Sequence, residues 1–101
     1  MIIINVTFST TTAVREQFIE QLKTIQSASS KEQGCELYRF SADLDDALCF
    51  HLIEMWQDEA ALLGHLQSEH FKTFLSQIPQ LASMKSSTSF QGDMAPYSVP
   101  R

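Results

Sequence analysis

The chain has 101 residues, with seven Lys and Arg against twelve Asp and Glu, a formal charge of −5, 44 % hydrophobic residues and 19 % charged ones. That composition excludes wholesale disorder, and the acidic balance disfavours nucleic acid as a partner, because phosphate contacts need clustered Lys and Arg. No apolar run approaches the roughly 18–20 residues of a membrane span. Met1–Ile4 passes directly into Asn5 with no basic segment, so a signal peptide is not expected.

Residues 2–8 are β-branched and apolar, which predicts a strand. Thr10, Thr11 and Thr12 offer N-caps to a helix over 13–28. There Val14, Phe18, Leu22 and Ile25 recur on one face, with Arg15, Glu16, Glu20 and Lys23 outside. A serine-rich loop punctuated by Gly34 leads to an alternating strand over 35–42. Asp43–Asp46 is the predicted turn, and 47–56 a second strand, apolar on both faces except for His51 and Glu54. Asp58 is expected to cap a short helix over 59–66. Ser68 is expected to cap another over 69–77, ended by Pro79. A polar strand over 84–90 fits only an edge, and the stretch 93–101, with Pro96 and Pro100, reads as an extended tail after a single domain over 1–92.

This β-α-β-β-α-β order predicts an α+β, ferredoxin-like fold with helices on one face of a four-stranded sheet. A chain of about a hundred residues buries only some 60–65 % of its unfolded surface, and helices can cover one sheet face only. A second copy covering the other face, a homodimer, is therefore expected, with His51, Ile53 and Met55 on that face. A turn centred on Leu44–Asp45 places Cys49 opposite Phe40 and Cys35 opposite Glu54, with Arg39 near enough to Glu54 for an ion pair. The two sulfurs are then roughly 17 Å apart, too far for a disulfide. Two free thiols suit a reducing, cytoplasmic setting.

Three stretches carry chemistry: Gly34-Cys35-x-x-Tyr38, then Glu54-x-Trp56-x-Asp58, then His65-x-x-Ser68-x-His70-Phe71-x-x-Phe74. In that order and spacing they resemble the antibiotic biosynthesis monooxygenase family, whose members form dimeric α/β barrels. The resemblance implies a homodimer with a pocket in each subunit, working without metal, flavin or haem. A small electron-rich phenol or enol is deprotonated there and reacts with O2. On this reading His65 or His70 is the base, and Trp56 is placed with them at the reacting centre as a wall. Tyr38 orients the substrate by its hydroxyl, and Glu54, Leu52, Phe71 and Phe74 contact it. Access favours His65, which points inward if Leu62 and Leu66 do. The helix dipole favours His70, at a helix start where a neutral imidazole is the better base.

Other readings of the same residues stand beside this one. Trp56 and Phe74 suit a core, Tyr38 a half-buried strand, and Ser68 a helix cap. The pocket also suits a non-catalytic small-molecule-binding or stress-responsive dimer. Relatives on this fold include isomerases of phosphorylated sugars, which want basic pocket residues such as Arg39 and Lys72. They also include haem-degrading enzymes, but Leu75 stands where their ligating histidine aligns. Three histidines without H-x-x-x-H spacing do not announce a metal site.

Overall fold

The computed structural model describes residues 1–93 and 95–100. Its elements are β1 (Ile2–Thr10), α1 (Arg15–Ser29), β2 (Cys35–Ala42), β3 (Cys49–Trp56), α2 (Glu59–Leu66), α3 (Glu69–Leu81) and β4 (Ala82–Gln91). The strands form one antiparallel sheet in the order β2-β3-β1-β4, with β2 and β4 at the edges. This is the expected ferredoxin-like α+β arrangement, its second helical segment divided into α2 and α3. Past Gln91 no residue from 92 to 93 or 95 to 100 lies in a helix or strand. Positions 94 and 101 of the expected tail lie outside the described residues.

The strand alternation sorts the core. Ile2, Val6 and Phe8 of β1, Tyr38 of β2, and Phe50, Leu52 and Trp56 of β3 are buried on one face. They pack with Phe18, Leu22 and Ile25 of α1 and with Phe74 and Leu81 of α3. Phe8 meets both Phe18 and Phe74 edge-on, and Phe18 meets Phe50 the same way, at centroid separations of 5.8–6.3 Å. The opposite face carries a cross-strand row, Leu37–Met55–Ile3–Phe90, whose last member is 58 % exposed.

Several expectations are corrected. The hairpin register pairs Phe40 with Leu52 and Tyr38 with Glu54, not Phe40 with Cys49. The cause is a longer loop. The Asp43 carboxylate takes the Asp45 N–H, the Asp46 carboxylate takes the Leu48 N–H, and the Asp43 N–H reaches the Cys49 carbonyl, so β3 starts at Cys49 rather than at 47. Arg39 consequently lies opposite Ile53 and makes no ion pair with Glu54. Both cysteines are nevertheless free, as expected. No threonine caps α1: its N-cap is Val14, and the Thr10 hydroxyl instead donates to the Leu81 carbonyl at 2.6 Å. Pro79 does not end α3, which runs to Leu81. The carbonyl that Pro79 leaves without its helical donor, four residues back, belongs to the half-exposed Leu75.

Phe18, fully buried at the centre of these aromatic contacts, sets a scale. Truncation by Phe18→Ala is expected to destabilise the fold by about 3–5 kcal/mol. Leu75→Ala, on the exposed side of α3, is expected to change it by about 0.5 kcal/mol or less. Urea denaturation of the two variants checks the pair.

Candidate active site

Where β3 ends, the chain has three loop or helix segments to place around it. These are the loop before β2, helix α2, and the start of α3. Gly34 fixes the first of them. Its φ is +82°, and a Cβ there would stand 2.5 Å from the Ala61 side chain, so only glycine lets the loop lie this close against α2. The Gln57 N–H donates to the Gly34 carbonyl at 2.7 Å, and the Cys35 N–H to the Glu32 carbonyl at 3.1 Å. Asp58 and Ser68 cap α2 and α3 as expected, accepting from Ala61 and Phe71. The Ser68 hydroxyl and N–H also donate to the His65 carbonyl, which sets the bend between the two helices.

This scaffold brings Glu32, His65 and His70 together. His65 Nδ1 lies 3.0 Å from Glu32 Oε2, and His70 Nε2 faces Glu32 Oε1. His65 is 1 % exposed. Its ring sits 4.7 Å from Trp56, 4.7 Å from Phe71 and 5.3 Å from Tyr38, centroid to centroid. Burial in this aromatic box holds the imidazole below its ordinary value. Neighbouring Glu32 opposes that shift, and His70 adds to it. A carboxylate can only accept, so in the neutral ring the proton sits on Nδ1. Nε2 then keeps its lone pair, and among the described residues it has no hydrogen-bond partner.

A cavity of about 550 Å³ adjoins these groups. It is lined by Glu32, Gln33 and Gly34 of the loop before β2, by Gln57 and Asp58, by Ala60, Ala61, Gly64 and His65 of α2, and by Ser68 and His70 at the start of α3. Of the sequence-predicted site residues, His65 and His70 reach it. Trp56, Tyr38 and Phe71 form the wall behind His65. Leu52 and Phe74 are core residues packed under the sheet and α3, away from the cavity lining. Glu54 is buried and takes the Trp56 indole N–H at 3.0 Å, so it orients the tryptophan rather than lining the cavity. Burial raises the Glu54 carboxyl above its usual range, and burial likewise keeps the Tyr38 phenol neutral. Leu66, expected inward, is 40 % exposed, because α2 turns His65 and the Ala61–Leu62 pair to the core instead. Among the described residues the cavity lining contains no Lys or Arg; Arg39 and Lys72 are both exposed elsewhere.

Glu32 is the residue that sequence reasoning missed. Its only signal was an acid two positions before the glycine of the G-C-x-x-Y stretch, in a loop that reads as solvated. The Glu32, His65 and His70 ligand atoms lie within 4.8 Å of one another, so this group could also hold a divalent ion.

The antibiotic biosynthesis monooxygenase family matches residues 1–77, and the chain belongs to that family. A Bacillus subtilis protein provisionally named as a monooxygenase, YcnE, is 29 % identical over 69 residues, 68 % of this chain and 73 % of that one. An uncharacterized Synechocystis protein is 34 % identical over 67 residues, 66 % of this chain but only 46 % of its own length. Among solved structures, a Bacteroides thetaiotaomicron protein of unknown function, with an oxidoreductase role suggested, superposes with a TM-score of 0.82. It is 31 % identical, with coverage of 88 % of this chain and 94 % of that one. A Deinococcus radiodurans structure described as of this family shares the fold at a TM-score of 0.89. It has 24 % identity over 99 % of this chain and 100 % of its own.

Gly34→Ala introduces both a strained φ and a clash, and is expected to destabilise the protein by about 1–3 kcal/mol. Ala61→Gly in the same chain removes only the clash, so the double variant should recover part of the loss in thermal denaturation.

Proposed function

We propose that this protein is a monooxygenase that oxidises a small aromatic, quinol-like compound with O2, without a bound cofactor, by deprotonating it in the cavity beside His65. The observation that carries the reading is the unpartnered His65 Nε2, held as a lone-pair acceptor by the Glu32 carboxylate on the other side of the ring. A buried neutral imidazole of this kind is a general base suited to neutral pH. Family membership supports the oxygenase class.

The chemistry balances without an outside reductant. His65 Nε2 takes a proton from an activated CH2 or phenolic group, giving an electron-rich enolate or phenolate. That anion reduces O2 and bonds one oxygen atom at carbon. The second oxygen leaves as water when the carbonyl forms. Glu32 stabilises the imidazolium during this step, and His70 shares the carboxylate. Trp56, Tyr38 and Phe71 keep the base dry. A volume of about 550 Å³ accommodates a compound of one to three rings. With no Lys or Arg in the lining among the described residues, a sugar phosphate is disfavoured as substrate.

The working unit in this proposal is a homodimer, with the Leu37–Met55–Ile3–Phe90 row covered by the same face of a second copy. Its setting is the cytoplasm, where both thiols stay reduced. Among the described residues no helix is long and apolar enough to cross a membrane.

Oxygen consumption with a panel of hydroquinones and anthrones tests the reading. His65→Gln is expected to lower kcat/KM by about 10²–10⁴-fold, and Glu32→Gln to lower it less. Because burial depresses the imidazole, wild-type activity should fall as pH drops below about 6.5 and stay level between about 7 and 8. EDTA treatment should leave the rate unchanged. Absence of turnover with tight binding of the same compounds would instead establish a non-catalytic binding protein. Loss of the rate on chelation, restored by a divalent metal, would overturn the cofactor-free part.

A further inference from the structure

At the far end of β3, on the outer sheet face, three side chains unrelated to the cavity converge. His51 Nε2 lies 2.8 Å from Asp43 Oδ1 and 3.9 Å from Cys49 Sγ. All three ligand atoms lie within 4.8 Å of one another. Each residue is also held by a second interaction made through an atom other than its ligand atom. Thr7, directly across the strand pair, sits 3.1 Å from His51 Nδ1 and fixes the ring so that Nε2 points toward the other two. The second carboxylate oxygen of Asp43 accepts the Asp45 N–H at 2.9 Å. The Cys49 N–H donates to the Asp46 carbonyl, and its own carbonyl accepts the Asp43 N–H, both at 3.0 Å.

We propose that Asp43, Cys49 and His51 form a binding site for a zinc-class divalent cation, its fourth position filled by water or by a group of the second copy that covers this face. The donors are one oxygen, one nitrogen and one sulfur, the mixed set that zinc accepts. An ion pair between His51 and Asp43 would account for two of these groups but leaves the thiol unused. A tetrahedral ion with bonds of about 2.0 Å to N and O and about 2.3 Å to S needs N···O near 3.3 Å and N···S near 3.5 Å. The observed separations differ from these by roughly 0.5 Å in opposite senses, a side-chain rotation rather than a rebuilt loop. Asp45 and Asp46 add negative charge beside the site, opposed by the Arg15 guanidinium, which donates to the Ala47 carbonyl of the same loop. On binding, the Cys49 S–H and His51 Nε2–H bonds break and metal–sulfur and metal–nitrogen bonds form; the neutral imidazole takes a proton on Nδ1, which faces the Thr7 hydroxyl, so one net proton goes to solvent with no change of oxidation state. The site stands apart from the proposed oxygenase chemistry and does not depend on it.

Cobalt(II) titration of the reduced, intact protein tests the site, because only a thiolate ligand gives a sulfur-to-cobalt charge-transfer band. The band should saturate at one equivalent. It should persist in Cys35→Ser and in His70→Gln, which disables the other His–carboxylate group, and disappear in Cys49→Ser and His51→Ala. Asp43→Asn should weaken binding about 10–100-fold. No band in the wild type, or a band that survives Cys49→Ser, would overturn the proposal. Should the variants fail to fold, alkylation of the wild type decides: zinc must slow labelling of Cys49 and leave Cys35 unchanged, and equal labelling with and without zinc refutes the site.

Discussion

The Glu32 carboxylate stands between two imidazoles, and the geometry of the cavity follows from keeping it there. His65 is almost wholly enclosed by Trp56, Tyr38 and Phe71. An imidazole N–H enclosed in this way is destabilising unless it finds an acceptor. The one it finds lies in a loop 33 residues earlier in the chain. That loop must therefore approach α2 closely, which explains a glycine at positive φ against Ala61 and the clasp between Gln57 and the Gly34 carbonyl. The same carboxylate contacts His70, so the start of α3 is tied to the loop as well.

The sheet does the rest of the positioning. Tyr38, Glu54 and Trp56 share its inner face, and Glu54 opposes Tyr38 across the β2–β3 pair. Glu54 takes the indole N–H, which turns the Trp56 ring toward His65. A buried carboxyl with a raised pKa is tolerated here because it holds the tryptophan and is itself bonded. The aromatic wall, the base and the base's acceptor are thus one connected unit.

Much of this was legible in the sequence. The 3.6 period of Val14, Phe18, Leu22 and Ile25 located α1, the alternation in 35–42 and the apolar run to Trp56 located the hairpin, and Asp58 and Ser68 marked two helix starts. His65 and His70 were identified from the spacing of their motif. What the sequence did not reveal depended on side chains acting at a distance. The loop carboxylates of Asp43 and Asp46 lengthened the turn and moved the register by three, which removed the expected Arg39–Glu54 pair. Helix propensity placed the end of α3 at Pro79, but packing of Leu81 against the core and its carbonyl bond from Thr10 carry the helix past it. Glu32 had no periodic or motif signal, because its role is defined by a contact across 33 residues.

The Glu32 carboxylate fixes His65 as an Nδ1–H tautomer with a free Nε2, in surroundings that hold the imidazole below its ordinary value. Nitrogen-15 NMR of histidine-labelled protein across pH 5–8 reads this directly. The expected result is an Nδ1-protonated, neutral His65 at pH 7 that titrates below the ordinary value of about 6.5, with the tautomer preference lost in Glu32→Gln. A His65 found in the Nε2–H form, or already protonated at pH 7, would contradict it.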